Sequence, residues 1–320
     1  MSYNVENFFD DVHSGTEYPE FDPSRGKWTT DMFLARADAI AEVIRKAVPG
    51  GPDIAVLQEV ENENALQTLI RRGLTGMGYA GVFVPKPGVS ANVAFLSRLP
   101  VARVRSFGVG PWKSTAPMRD IVEADIMDQG HTLYVLDNHW KAKTGGARQT
   151  ERSRVESAGV LARRIEEILA QDPGADIVAA GDMNESADEY QRVGRTYPTA
   201  LMPDTERQAP DPLAAIYLSG APAGLGVSGG RLELFDPWLA MAPDQRGSYF
   251  FQGDWLTMDH MLLSPGMLDG TAFTYRAGSF GALHLPFLLT PEGTPRSSAD
   301  PRGHGYSDHL PLLMLIDVKK

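Results

Sequence analysis

The chain has 320 residues and a formal net charge of −11, with 42% hydrophobic residues, 22% charged residues and no cysteine. This balance is typical of a globular protein with a large core. No apolar run reaches the length of about 20 residues that a transmembrane helix needs. The lack of cysteine excludes disulfides, thiolate zinc sites and a cysteine nucleophile. Because an acidic surface repels polyanions, a phosphate-bearing substrate would have to meet a local basic cluster or a bound cation.

The N-terminal third alternates between predicted strands and helices. The first residues lead directly into a strand, so no signal peptide is recognisable, and the compartment is left open. Thr29 or Thr30 suits the N-cap of a helix whose apolar residues recur at helical spacing as far as Pro49. The predicted order is a strand at 3–9, this helix, a strand at 53–60, a helix at about 65–73, and an antiparallel run of strands at 79–84, 93–96 and 101–107.

The rest of the chain predicts a strand–helix–strand unit and then less regular structure. Arg119 opens a strand, the next strand ends at His139, and the helix at about 150–170 leads into a buried strand at 176–182. Further strands are predicted at 255–264 and 310–318. No linker is visible, so we expect one domain over 1–320, with irregular excursions at about 185–231 and 281–305.

Four apolar strands end in polar side chains that can carry chemistry. Asp182 and Asn184 follow Gly181 at a spacing of two, which puts both side chains on one face of an extended chain. Taken alone, this group has an alternative interpretation as a simple Asx-type turn. Three other strands also end in such residues: Glu59, Asn138–His139 and Asp308–His309. Four unrelated turns would not be expected to supply these side chains by coincidence.

Taken together, these groups resemble the motifs of the endonuclease/exonuclease/phosphatase superfamily. The matching positions occur in family order along the whole chain: Asn4, residues 57–59, 138–139, 181–184, 258–259 and 307–309. Their flanking sequences look like a bacterial branch usually described as predicted nucleases. The resemblance implies an α/β (α+β) fold of the DNase I type. This is a four-layer sandwich of two facing, mixed and largely antiparallel β-sheets flanked by helices, with the site at one edge.

The resemblance also implies a role for each matching residue. Asp182 would orient or deprotonate the attacking water, and Asn184 would donate to a phosphate oxygen. His309 would contact the scissile phosphate or share the base role, with its ring held by Asp259. His139 matches a second family histidine that binds phosphate or protonates the leaving group.

The remaining candidates are metal ligands and basic residues. Three of them supply oxygen donors that suit a hard cation, so that Mg²⁺ or Mn²⁺ fits better than zinc: Glu59, Asp308 and Asn4. Arg119 matches a phosphate-contacting arginine of DNase-like members, with a solvated strand-end arginine as the alternative. Lys141 and Lys143 lie in the one basic, glycine-containing loop, at 140–148. His260 should point to the opposite face from Asp259 and is not expected to be a ligand.

These assignments predict a divalent-metal-dependent phosphodiesterase that acts as a nuclease on DNA or RNA. One alternative is a phosphomonoesterase or phospholipase C-type enzyme of the same fold, acting on inositol phosphates or sphingomyelin. A binding protein that lost catalysis is disfavoured because all the charged positions are intact. We expect a monomer with a nucleic-acid substrate, no evident protein partner and no stable membrane insertion.

Overall fold

The apolar runs of the sequence form short, largely buried strands. The structure is a computed structural model that describes residues 1–110, 117–206, 216–299 and 305–319. The strands, in chain order, are β1 (Ser2–Phe8), β2 (Ile54–Val60), β3 (Ala80–Phe83), β4 (Asn92–Ser97), β5 (Val101–Phe107), β6 (Ile121–Asp128), β7 (His131–His139), β8 (Asp176–Asp182), β9 (Leu201–Pro203), β10 (Ile216–Ser219), β11 (Gly226–Ser228), β12 (Arg231–Phe235), β13 (Tyr249–Phe251), β14 (Asp254–Leu256), β15 (Asp259–Leu263), β16 (Phe273–Tyr275), β17 (Gly281–Ala282), β18 (Leu312–Leu313) and β19 (Ile316–Val318).

The helices begin where the sequence supplies caps. The Thr29 hydroxyl accepts a hydrogen bond from the Met32 amide at 3.3 Å, which confirms the predicted start of the first long helix. No helix in the described part of the chain is long and apolar enough to cross a membrane. The helices are α1 (Thr30–Ala47), α2 (Glu63–Gly73), α3 (Ala147–Gln171), α4 (Glu189–Arg192) and α5 (Pro237–Ala240).

Two sheets face each other, and helices cover their outer faces. The first sheet has the order β17-β18-β1-β2-β4-β3, and the second has the order β5-β6-β7-β8-β15-β12-β10-β9 with β11 beside β12. Among the described residues, parallel pairing is limited to β1/β2, β7/β8, β12/β10 and β10/β9. The DNase I-like sandwich implied by the resemblance is therefore confirmed.

Three apolar layers hold this sandwich together. The middle layer joins the inner faces of the two sheets, with Val56 and Phe95 from the first sheet and Val135 and Val178 from the second. The layer under α1 and α2 covers the outside of the first sheet, and α3 covers the outside of the second. Burial of both sheet faces explains why β2 and β8 are continuous apolar runs rather than alternating ones.

Three expectations about element positions were wrong. The run of three antiparallel strands is divided, because β5 belongs to the second sheet while β3 and β4 belong to the first. The strand expected from Arg119 begins at Ile121. The region 185–231 is not merely an irregular excursion: β9 and β10 lie in it and, with the following β12, extend the second sheet and are largely buried under α3. These strands have three to five residues, too few for a readable period.

The second predicted excursion, 281–305, is only partly irregular. It contributes the short strand β17 to the first sheet before it runs over the surface, and its residues 300–304 lie outside the described residues. The prediction of a single domain over 1–320 stays a prediction.

Candidate active site

Three neighbouring strands of the second sheet bring their polar ends into one row. His139 is paired with Asp182 across the parallel pair β7/β8, and Asp259 is paired with Asp182 across the antiparallel pair β8/β15. Gly181 has a φ of 127°, and a Cβ there would lie 2.0 Å from the Asn138 carbonyl oxygen. Glycine is therefore required at position 181, where β8 places Asp182 at the edge of the sheet.

His309 and Asp259 form a buried, hydrogen-bonded pair. The His309 Nδ1 lies 2.8 Å from Asp259 Oδ2, and the Ser248 hydroxyl donates to the same oxygen at 2.5 Å. Burial disfavours a charged ring, but the carboxylates of Asp259, Asp308 and Asp182 outweigh burial and hold the pKa of His309 well above its usual value. The ring is therefore a cation whose Nε2 faces Asp182, 4.0 Å from its Oδ2.

Asp182 is held by amide donors on two sides. Its Oδ1 accepts from the Asn184 backbone amide at 2.9 Å, and its Oδ2 accepts from the side chains of Asn184 and Asn4 at 3.0 Å each. Asn184 is in the left-handed region with a φ of 52°, which asparagine tolerates better than most residues. Burial outweighs the opposing charge of His309 and raises the pKa of Asp182 to about 6.

The first sheet supplies the facing carboxylates. Glu59 sits at a bulge with a φ of 67°, and its two oxygens accept from the Asn4 side chain at 3.1 Å and the Asn7 amide at 2.8 Å. Asn4 therefore links Glu59 to Asp182 through its amide nitrogen. Burial, together with the carboxylates of Glu6 and Glu59, outweighs His309 and raises the pKa of Asp308 to about 7.

His139 joins this cluster to a neighbouring cleft. Its Nε2 lies 3.7 Å from both Glu59 Oε1 and Asp182 Oδ2. Burial, with smaller effects from Arg119 and His309, lowers the pKa of His139 well below its usual value, so the ring is neutral. His139 also lines a cleft of about 460 Å³ that includes Arg119 and Lys141.

The three predicted basic residues have different environments. The half-buried Arg119 donates from Nε to the Ala91 carbonyl at 2.7 Å. Loss of water around the ammonium, together with Arg119 and Arg154, lowers the pKa of Lys141. Neither Arg119 nor Lys141 has an ion-pair partner among the described residues. Lys143, in contrast, is 2.6 Å from the buried Glu189 carboxylate, so its charge is already compensated.

Comparison with known proteins identifies the family of this chain. A model described as "Endonuclease/Exonuclease/phosphatase family" matches residues 1–194. The chain belongs to this family. A search of curated proteins found no match.

The solved structures that resemble this family member share its fold. Truncated Caenorhabditis elegans TDP2 is 19% identical with a TM-score of 0.53, over 87% of this chain and 88% of that chain. D. rerio TDP2 complexed with a single-strand DNA product is 14% identical with a TM-score of 0.57, over 99% and 97%. A mannosyl-6-phosphatase of Bacteroides thetaiotaomicron is 17% identical with a TM-score of 0.57, over 99% and 98%. At these identities the likeness shows the phosphoesterase fold and no particular substrate.

Enzymes of this family depend on a divalent metal, and the donors of this site fit one. Glu59 and Asp308 offer carboxylate oxygens close to Glu6 and Asp182, and these like charges destabilise one another unless a cation lies between them. Oxygen donors suit a hard divalent ion. Asp182, Asp259 and His309 also offer ligand atoms within 4.8 Å of one another. In that trio, however, the 2.8 Å hydrogen bond already occupies His309 Nδ1 and one Asp259 oxygen.

Sequence reasoning missed three residues that organise the site. Glu6 accepts hydrogen bonds from Ser297, Ser298 and the Asp308 amide, so it fixes the segment that carries Asp308. Ser248 donates to Asp259, and the Tyr249 ring lies 4.6 Å from the His309 ring. Glu6 is close to Asn4 in the sequence, and Ser248 and Tyr249 shortly precede Asp259, but nothing in their spacing indicated these contacts.

The loop that carries Asn184 is anchored by buried charges on both sides. The buried Arg154 of α3 contacts the Glu185 carboxylate at 3.1 Å and the Glu151 carboxylate at 2.6 Å. On the other side, His260 Nε2 lies 2.9 Å from the Glu185 carbonyl oxygen. His260 thus faces away from the active site, as predicted, and acts as a brace.

His260 is expected to stabilise the fold in a pH-dependent way. Burial opposes the charged ring, but Asp236, 3.1 Å from Nδ1, outweighs it and raises the pKa of His260 above 6.5. The stabilisation is therefore complete below pH 6.5 and is lost as the pH rises through the folded-state pKa. His260→Gln should cost about 3–5 kcal/mol in the free energy of unfolding at about pH 6, because it leaves Asp236 buried without its partner. Urea unfolding from about pH 6 to about pH 9 should show this difference shrinking; a difference that grows with pH would contradict it.

Proposed function

We propose that this family member is a divalent-metal-dependent phosphodiesterase that cleaves nucleic acid. The observation that carries the proposal is the Asp259–His309 pair, joined at 2.8 Å and directed at Asp182 beside the Glu59 and Asp308 carboxylates. A cationic donor, a carboxylate of raised pKa and a facing acidic cluster are the groups that phosphoester hydrolysis by water requires.

Each residue has one task in this reaction. Asp182, with a pKa of about 6, orients the attacking water and takes its proton, while Asn184 and Asn4 hold the carboxylate in place. Asn184 was expected to donate to a phosphate oxygen, but its side-chain amide donates to Asp182 and to the Trp140 carbonyl instead. His309 is protonated and donates from Nε2 to an oxygen of the scissile phosphate, and Asp259 keeps its ring oriented. The neutral His139 contacts the phosphate from the other side.

Glu59 and Asp308 would hold the metal ion. Asn4 was expected to be a third ligand, but its side-chain oxygen already accepts from the Glu6 amide at 2.9 Å, so we assign it the positioning of Glu59. When bound, a Mg²⁺ or Mn²⁺ ion supplies the positive charge that neutralises phosphoryl oxygens and the departing oxygen. This charge matters in a chain whose net charge is −11.

The cleft beside His139 favours a phosphodiester chain over a small monoester. Arg119 and Lys141 bring two cations together without carboxylate partners among the described residues, and this arrangement favours an additional anionic group. A neighbouring phosphate of a nucleic acid supplies such a group. Among proteins of this fold, one TDP2 structure holds a DNA product and another neighbour is a mannosyl-6-phosphatase, so both substrate classes need testing.

A parallel substrate panel tests the proposal. The purified chain with Mg²⁺ or Mn²⁺ is assayed against plasmid DNA, RNA, bis(p-nitrophenyl) phosphate, inositol phosphates, mannose 6-phosphate and sphingomyelin. We expect the highest kcat/KM on a nucleic acid. If a monoester or sphingomyelin is hydrolysed faster than every nucleic acid, the phosphatase or phospholipase alternative replaces the nuclease with the same site residues.

Lys141→Ala is expected to weaken nucleic-acid binding without impairing the chemical step. KM for DNA or RNA should rise several-fold, and the slope of log affinity against log salt should become shallower by about 0.7–0.9, the contribution of one lost phosphate contact. The rate on bis(p-nitrophenyl) phosphate should change little, because that substrate has no second phosphate. The measurement is KM at several salt concentrations.

Lys319→Ala is the matched control for charge. Lys319 is exposed, and its amide bonds to Ala272 near the start of β8, at the opposite end of that strand from Asp182. It should alter neither KM nor the salt slope. Equal effects of the two substitutions would mean that net charge, rather than the cleft, governs binding.

A further inference from the structure

A column of aromatic rings runs from the catalytic imidazole to the surface. The His309 and Tyr249 ring centroids are 4.6 Å apart, and the Tyr249 and Phe251 centroids are 6.2 Å apart with an 18° angle between the rings. Tyr249 is half-buried and Phe251 is 51% exposed. Because Tyr249 and Phe251 are two residues apart on strand β13, they lie on the same face of the hairpin.

The hairpin that presents these rings is fixed to the active site. Tyr249 forms a β-bridge with His309, and the Leu310 amide donates to the Ser248 carbonyl at 2.7 Å. Gly247 has a φ of 138°, and a Cβ there would lie 2.7 Å from Trp255, so only glycine permits this close turn. The rings are thus held in place before any ligand arrives, which lowers the entropy cost of binding.

Packing of the hydrophobic core does not account for the exposed position of the Phe251 side chain. It belongs to none of the hydrophobic core clusters of the described residues, whereas its neighbour Phe250 turns the other way and packs edge-on against Trp255 at 5.4 Å. An exposed phenyl ring stacked on another ring, beside a phosphoester-cleaving site, is the arrangement that binds the flat face of a base.

We propose that Tyr249 and Phe251 form a stacking surface for an unpaired nucleobase next to the scissile phosphate. This proposal rests on the proposed function and narrows its substrate to single-stranded nucleic acid, because the bases of a duplex already stack on one another. The hairpin tip disfavours a membrane as the partner. Its residues Gln252, Gly253 and Asp254 include no lysine or arginine, which a helix or loop at an anionic lipid surface would use.

The test compares two oligomers of equal length, oligothymidylate and a fully abasic deoxyribose phosphate chain, with the full chain and Mg²⁺. Phe251→Ala should lower kcat/KM on oligothymidylate about tenfold, within the range for one lost base–aromatic stack. The same substitution should leave kcat/KM on the abasic oligomer unchanged, because that oligomer has no base to stack on the ring. Phe251→Trp should preserve the preference for oligothymidylate, and Phe251→Leu should lose most of it.

Several outcomes would overturn the stacking surface. Equal losses on both oligomers, or no loss on either, would show that Phe251 does not contact a base. Binding of phosphatidylcholine vesicles by the wild type but not by Phe251→Ala would assign the ring to a membrane. If neither oligomer is hydrolysed, the proposed function fails for single-stranded DNA, and fluorescence anisotropy of the same labelled oligomers still decides whether Phe251 discriminates between them.

Discussion

Exhaustive chelation with EDTA is expected to abolish phosphoester hydrolysis, and Mg²⁺ or Mn²⁺ is expected to restore it. The physical reason is the cluster formed by Glu59, Asp308 and Asp182, where burial and mutual repulsion raise the pKa of Asp308 to about 7. Without a bound cation, these carboxylates repel a phosphate that enters the cluster. The measurement is the initial rate on the best substrate of the panel before chelation, after it, and during titration with each ion.

Metal binding should also be detectable without substrate turnover, as an increase in the free energy of unfolding. An ion that binds only the folded chain stabilises it by RT ln(1 + [L]/Kd), so Mg²⁺ at about 100 times its Kd should add about 2.7 kcal/mol to the free energy of unfolding. Glu59→Gln removes one ligand charge and should shift both the activating and the stabilising titration to higher metal concentration. Full activity after chelation, or an unchanged stabilisation by metal in Glu59→Gln, would show that Glu59 and Asp308 do not form the metal site.

That most of the candidate site residues lie close together could be predicted from the sequence, because they lie at strand ends. The row formed by His139, Asp182 and Asp259 follows from adjacent strands whose polar ends meet at one edge, and each strand is a recognisable apolar run. The long helix α1 was likewise predictable, because its apolar residues recur at helical spacing over five turns and a threonine caps it. Local pattern and global fold agree at these positions.

The supporting contacts could not be predicted, because they join distant parts of the chain. The Glu6 carboxylate meets the Asp308 amide across 302 positions, and no local spacing encodes that contact. Lys141 and Lys143 lie in the same basic loop, yet within the part of the chain that the structure describes only Lys143 contacts a buried carboxylate, that of Glu189. The aromatic column depends on the bridge between Tyr249 and His309, which is again a tertiary contact.

Asp182→Asn and His309→Ala are each expected to lower turnover by roughly 10²–10⁴-fold, the usual effect of removing a positioned acid or base. Asn at 182 keeps the shape and can still accept from Asn184, but it cannot take a proton from water. His309→Ala removes the cation that faces Asp182 and, of the two side-chain donors to Asp259 among the described residues, leaves Ser248. The measurement is kcat under metal saturation, with circular dichroism to show that each variant is folded.

His131→Ala is the matched histidine control, because His131 begins strand β7 while the active-site His139 ends it. It should retain wild-type kcat. The decisive comparison is the double variant. Asp182 and His309 lie 4.0 Å apart, and the proposed function has both act on one phosphate, so removing both should cost far less than the product of the two single losses. Multiplicative losses would mean that the two residues act independently, and a wild-type rate in either single variant would place the reaction elsewhere on the molecule.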